Sequence, residues 1–274
     1  MTFKVKIADL ISVIIYKLCG VLGKSFNYHV AIKNLIQSKS ENIQVLDFSL
    51  FSFWNNASIE KVIYEKAIAA TKQFDADNLS KRLRHYTMLQ LVNTSVKDML
   101  NNGNVAECGC WKGQSAYGIA TMLRSVGFTK KFMIFDSFQG LSDLQTQDQH
   151  ELKNMTNDEI VQQKNNFAAS LELVKNNLKE FNFINYYDGW IPTRFAEVIG
   201  EQFSFVNIDV DLYQPIKDCL DFFYPRLISK GCIFLDDYGM SQFPGAKTAV
   251  DEFLLKNKPT FFMWFPFGGA IIIK

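Results

Sequence analysis

The amino-acid sequence predicts an α/β protein: an open, mostly parallel sheet with helices on both faces, preceded by a helical extension. Three observations predict it. Up to about residue 103 the apolar periodicity is helical only. From Val105 onward, short apolar runs alternate with helical patterns. Each of the first five runs ends in, or is followed at once by, an acid or a glycine. Alternation of strand and helix implies parallel strands with helices on both faces, joined by right-handed crossovers.

Each element follows from its pattern. Residues 1–80 are expected to form the helical extension, a cap or dimer contact, and 81–274 the main domain. Leu10–Gly23 is apolar but carries Lys17, and it is shorter than the roughly 20 residues a membrane span needs. It reads as an amphipathic helix packed on the body or on a second subunit, with peripheral membrane attachment as the lesser alternative. Ser58–Phe74 reads as a helix with Val62, Ile63, Ala67, Ile68 and Ala70 on one side. Leu79–Met99 reads as a second. Strands follow at Val105–Gly109, Lys131–Asp136, Phe183–Tyr187, Phe203–Asp209 and Gly231–Asp236, with helices at Ser115–Val126, Pro215–Leu227 and Ala246–Leu255 between or after them. Pro192 is expected in the first turn of a short helix ending near Gly200. Phe261–Phe265 and Gly269–Lys274 complete the sheet. The polar stretch 142–179, between the second and third strands, is expected to act as a lid.

Composition removes several classes. A formal charge of +1 gives no field that would gather nucleic acid. The five cysteines include no C-x-x-C pair, and Cys108-x-Cys110 as a zinc half-site lacks its other half. Reduced thiols and the lack of a small-residue cleavage site after the apolar segment point to the cytoplasm. Twenty-five phenylalanines promise an aromatic core.

In open parallel sheets, ligands bind at the carboxyl ends of the strands, near the switch in strand order. Those ends carry Glu107-x-Gly109, Asp136, Asp188-Gly189, Asp209-x-Asp211 and Asp236-Asp237. Glycines after the first strand let backbone approach a ligand closely. In a dinucleotide fold the spacing would be G-x-G-x-x-G, but Glu107 stands where the first glycine would be. A carboxylate there suits a cationic ligand, and S-adenosylmethionine carries an ammonium and a sulfonium. Asp136, 27 residues after Gly109, suits the two hydroxyls of a ribose. Strands four and five are consecutive, and neighbouring strands lie about 4.8 Å apart. Asp209, Asp211, Asp236 and Asp237 would then crowd one edge and raise one another's pKa. A hard divalent cation such as Mg²⁺ relieves that repulsion.

Four motifs in order, Glu107-Cys-Gly109-Cys-Trp-Lys-Gly113, Phe135-Asp-Ser-Phe-Gln-Gly-Leu141, Asp209-Val-Asp211-Leu-Tyr213 and Asp236-Asp-Tyr238 followed by Pro244-Gly-Ala, closely resemble the TylF/MycF-like family. These are macrocin-type, metal-dependent sugar O-methyltransferases, and the resemblance runs from about residue 80 to the C-terminus. It implies the class I methyltransferase sheet, Rossmann-like, with an antiparallel last strand. It implies that Glu107, Gly109, Gly113 and Ser115 line the amino-acid end of S-adenosylmethionine. Asp136 and Ser137 would hold the ribose, and Asp188 with Gly189 would lie by the adenine. Asp209, Asp236 and Asp237 would bind Mg²⁺, and Asp211 would be the general base. Cys110, Lys112 and Gln114 stand where the family often has Val, Arg and Gly.

The acceptor implied is a small molecule or glycan, and a homo-oligomer is expected. His150 in the lid reads as a second base or as a solvated loop histidine. His85 and Tyr86 read as cofactor-side or packing residues, and Trp111 and Trp190 as walls for the adenosine or as core. Two other classes share parts of the pattern. A metal-dependent glycosyltransferase would use Asp209-x-Asp211 but leaves Glu107 and Asp236-Asp237 unexplained. A non-catalytic scaffold would not need acids at every strand end.

Overall fold

The computed structural model describes residues 58–98, 102–148 and 157–274. The expected helix at 10–23 and His150 lie outside the described residues. Residues Ala57–Lys274 form one compact unit, which contains the sheet, and the first described helix packs into its core.

That unit opens with α1 (Ile59–Thr71) and α2 (Leu79–Asp98), then β1 (Asn104–Cys108), α3 (Gln114–Ser125) and β2 (Phe132–Asp136). Helices α4 (Asn157–Asn166) and α5 (Leu171–Asn177) precede β3 (Ile184–Asp188). Then come β4 (Phe203–Ile208), α6 (Tyr213–Arg226), β5 (Leu227–Leu235), α7 (Pro244–Lys256), β6 (Phe261–Trp264) and β7 (Ala270–Ile273). The strand order is β3-β2-β1-β4-β5-β7-β6. Strands β1 to β5 pair in parallel, and β7 runs antiparallel to both of its neighbours. The order reverses at β1, so a crevice opens between the carboxyl ends of β1 and β4.

Local chemistry sets the boundaries. Ser58 caps α1 by accepting from the Lys61 N–H at 3.2 Å, satisfying a helix-start donor. Pro244 sits at the first turn of α7, where its missing N–H costs nothing. Pro225 lies in the last turn of α6, and the chain passes directly into β5. The expected helix at Pro192 is absent. The Ile191–Pro192 peptide is cis, and the helical turn comes later, as a 3₁₀ segment at Phe195–Val198.

Two apolar layers sandwich the sheet. Val105, Phe132, Ile134, Phe205 and Phe234 face α1, α2, α3 and α5. Ala106, Met133, Phe135, Val206 and Ile233 face α6 and α7. The change of face at each residue is the period-two alternation of a strand. Within the stretch 142–179, Ala169, Val174 and Leu178 belong to the first of these layers. Phe135 centres an aromatic group, stacked on Tyr187 with centroids 4.5 Å apart and edge-on to Phe195 and Phe223. Phe135→Ala should lower unfolding free energy by about 3–5 kcal/mol. A denaturant titration checks this, and a loss below about 1 kcal/mol would show that the cluster does not brace the sheet.

Candidate active site

Strand register builds the crevice. Cys108 lies opposite Ile208, and Ile208 opposite Leu235. The three chains therefore leave the sheet at one level, as Gly109, Asp209 and Asp236. Bonds continue past the strand ends: Gly109 N–H donates to Phe135 O at 2.9 Å, Asp209 N–H to Cys108 O at 2.9 Å, and Asp236 N–H to Ile208 O at 3.0 Å. Gly109 has φ +79, and a Cβ there would lie 1.8 Å from the Asp209 carbonyl oxygen. Only glycine fits. Trp111, Phe138 and Asp211, which follow β1, β2 and β4, are non-glycine residues with φ of 47, 57 and 59. Such backbone costs on the order of 1–3 kcal/mol each and collects at functional sites.

A cavity of about 80 Å³, open to solvent, sits at these ends, lined by Gly109, Trp111, Asp136, Trp190, Asp209 and Asp211 among others. Asp136 forms its floor. One carboxylate oxygen accepts from the N–H groups of Cys110 (2.7 Å) and Trp111 (3.3 Å), and the other from Phe138 N–H (2.7 Å). It thus ties the glycine loop to β2 while keeping spare lone pairs toward the cavity.

Glu107 is fully buried in β1. Asn207, opposite it on β4, donates to Oε1 at 2.9 Å, and Oε2 has no partner. Burial pushes its carboxyl from 4.5 up to about 7, although Ser115 and Asn207 pull it back. Trp111 Nε1, both amide atoms of Gln114 and Asn207 Oδ1 are also buried without partners. Orphaned buried donors and acceptors are rare in native proteins, and this set surrounds the first turn after β1.

Among the described residues, Asp209, Asp211 and Asp237 can bring carboxylate oxygens within 4.8 Å of one another. All three carboxyls are pushed well above the usual range, first by burial and then by neighbouring acids. Asp237 also accepts the Asp211 N–H at 2.9 Å. Asp236 was expected in the metal set, but its Oδ2 is taken by Arg84 Nε at 2.9 Å. Arg84 reaches in from α2 and is the compensating cation of the cluster.

Several expected residues lie elsewhere. Gly113 starts α3 with its open side on Leu178 and Val174, not on the cavity. Asp188 is exposed and in register beside Asp136, and the wall on that side is Trp190 and Ile191, without Asp188 or Gly189. Ser137 does line the cavity. His85 is buried edge-on against Tyr64 at 5.3 Å, and burial holds its pKa well below the usual value. It packs as a neutral ring. Tyr86 accepts from Gln90 on the same helix. Sequence reading missed Arg84, Asn207 and Asp148. Asn207 had a signal, as a lone amide in an apolar strand. Asp148 is buried, accepts Tyr213 N–H at 2.9 Å at the start of α6, and presses on Gly245, where a Cβ would meet it at 1.8 Å.

Solved structures share this architecture. An O-methyltransferase, NovP, superposes with a TM-score of 0.56 at 22% identity, covering 68% of this chain and 78% of that one. A calicheamicin methyltransferase gives 0.54 at 19%, covering 86% and 99%. The fold is the Rossmann-like class I methyltransferase sheet. The family model for macrocin-O-methyltransferase (TylF) matches residues 54–260, and the chain belongs to that family. The match takes in α1, which the motif resemblance did not reach. Demethyldecarbamoylnovobiocin O-methyltransferase of Streptomyces niveus is 26% identical over 176 residues, 61% of this chain and 65% of that protein. A tetracenomycin-C rhamnosyl 4′-O-methyltransferase of Streptomyces olivaceus is 25% identical over 143 residues, 50% and 54%. The chain thus spans between half and two thirds of the length of these curated relatives.

The buried Glu107 makes a prediction about pH. A carboxyl whose folded pKa is raised binds its proton more tightly when folded, so stability falls as pH rises from about 4.5 to about 7. Glu107→Gln removes that penalty, which is on the order of 3 kcal/mol. In thermal melts of the ligand-free protein, the variant should gain on the wild type at pH 8 and not at pH 4.5. An equal difference at both values would mean Glu107 is not a strained carboxyl.

Proposed function

We propose that this chain transfers the methyl group of S-adenosylmethionine to a sugar hydroxyl of a small-molecule or glycan acceptor, assisted by Mg²⁺ or another hard divalent cation. The observation that carries the reading is the convergence of three carboxylates, two buried and one half-buried, beside a glycine loop whose own buried polar atoms lack partners. The donor fits those atoms. Glu107 Oε2 is free for an ammonium, Asp136 keeps lone pairs for ribose hydroxyls, and Trp111 and Trp190 offer faces for the base. The names of the relatives support an O-linked sugar acceptor.

The acids fit a cation as well, since oxygen ligands of like charge suit a hard divalent ion. Asp209 and Asp237 would hold it, with Asp236 as the third ligand on the oxygen that Arg84 leaves. A bound divalent cation lowers the pKa of an oxygen it touches. Asp211 lines the cavity, and its strained backbone aims it there. Burial and the charges of Asp209 and Asp236 raise its carboxyl, which improves its match to a hydroxyl proton. It receives that proton as the hydroxyl oxygen attacks the sulfonium methyl, and the products are a methyl ether and S-adenosylhomocysteine. Holding the two reactants in line would contribute about 7–11 kcal/mol.

Asp211→Asn should lower turnover about 10²–10⁴-fold and leave S-adenosylhomocysteine affinity within twofold of the wild type. Turnover near normal would remove Asp211 as the base. EDTA should abolish activity and excess Mg²⁺ restore it, measured as labelled methyl uptake into a rhamnosylated acceptor. Activity indifferent to chelation would remove the cation from the reading.

A further inference from the structure

Helix α6 begins without a cap of its own. The residue at its start is Leu212, whose side chain accepts no hydrogen bond, and no acid lies in its first turn. The missing acceptor comes from 65 residues away. Asp148, only 2% exposed, takes the Tyr213 N–H on Oδ1 at 2.9 Å and the Gln145 N–H on Oδ2 at 2.8 Å. A carboxylate at a helix start also meets the positive end of the helix dipole.

This cap stands beside the strained turn that carries Asp211. Residue 211 has φ +59, and a non-glycine residue stays in that region only where its surroundings over-determine it. Here three successive N–H groups are held. Asp211 donates to Asp237 Oδ2 at 2.9 Å, Leu212 to Val210 O at 2.5 Å, and Tyr213 to Asp148. The middle bond closes the turn on itself, and the outer two anchor it to other parts of the chain. Gly245 leaves room for the second anchor. It sits in the first turn of α7, and helical backbone does not call for glycine. A Cβ there would nevertheless come 1.8 Å from Asp148 Oδ1 and 3.0 Å from Tyr213 Cβ.

We propose that Asp148 is a positioning residue for the reaction: by capping α6 it holds Asp211 in its left-handed backbone conformation and so aims that carboxylate into the cavity. Gly245 serves the same end by keeping the place of the Asp148 carboxylate clear. The kinetic consequence rests on Asp211 as the base, as proposed above, and the conformational one does not. Without the cap, the Tyr213 N–H loses its acceptor, the turn keeps one outside anchor, and residue 211 relaxes to negative φ.

Crystal structures of Asp148→Ala and Gly245→Ala test the conformational claim, and steady-state kinetics with the rhamnosylated acceptor test its consequence. In both variants residue 211 should leave the left-handed region. The kcat should fall about 10- to 100-fold, the scale of a reacting group misplaced by about 1 Å, with S-adenosylhomocysteine affinity within twofold of the wild type. Asp148→Asn, whose amide oxygen still accepts from Tyr213, should keep kcat within about threefold. A residue needed only for stability would lower the melting temperature and leave kcat and the φ of residue 211 unchanged. The double variant should be no slower than Asp148→Ala alone, because the carboxylate that the new methyl group displaces is already gone. Gly245→Ala carries the same test should Asp148→Ala not fold. If residue 211 keeps its positive φ in these variants, or kcat stays within twofold of the wild type while Asp211→Asn abolishes it, the positioning role is overturned and the base reading stands. If Asp211→Asn itself keeps turnover, the base reading falls, and the φ of residue 211 alone decides what Asp148 holds.

Discussion

The alignment of β1, β4 and β5 governs everything at the carboxyl edge. Because Cys108, Ile208 and Leu235 share one level, the residues that follow them leave the sheet together. A slip of one residue would turn the strand's side chains to the opposite face, burying Cys108 where Glu107 now lies. Apolar residues on both faces prevent the slip, since every β1 and β4 position is buried. The chemistry therefore depends on packing far below it.

The edge so formed is electrostatically expensive. Glu107, Asp211 and Asp237 are buried and Asp209 is half-buried, and each has its carboxyl pushed upward. The described cations that answer them come from one helix, α2, through Arg84 and Lys81. Adjacent turns of one helix face place the two side by side, and α2 packs on α3 and the sheet. The helical layer is thus more than a cover for apolar surface. It carries the counter-charge without which four neighbouring acids would resist burial.

Strands and helices were legible because their periods are short-range. Short apolar runs bounded by glycines and acids marked β1 to β5, and helical spacing marked α1 and α2 to within a few residues. The glycine loop and the acids at the strand ends were legible for the same reason, since topology alone brings them to one edge. The Arg84–Asp236 pair joins residues 152 apart, and no local pattern announces it. The carboxylates that lie close together are accordingly Asp209, Asp211 and Asp237, while Asp236 shares an oxygen with Arg84. Gly113 looked like part of a ligand-facing motif, but its neighbour is α5, an element that sequence alone placed in a lid. Pro192 misled because a proline fits a turn as well as a helix start.

Asp148 gives a last consequence. Its carboxylate accepts from the start of α6 and bears on Gly245 in the first turn of α7, so one side chain fastens two helices to the chain between β2 and β3. Tyr213, the donor, is two residues beyond Asp211. The same bond thus ties residue 148 to the start of the helix that follows the cavity's strained aspartate, and the closeness of its carboxylate explains why the Pro-Gly-Ala run at the start of α7 admits no side chain at its middle position.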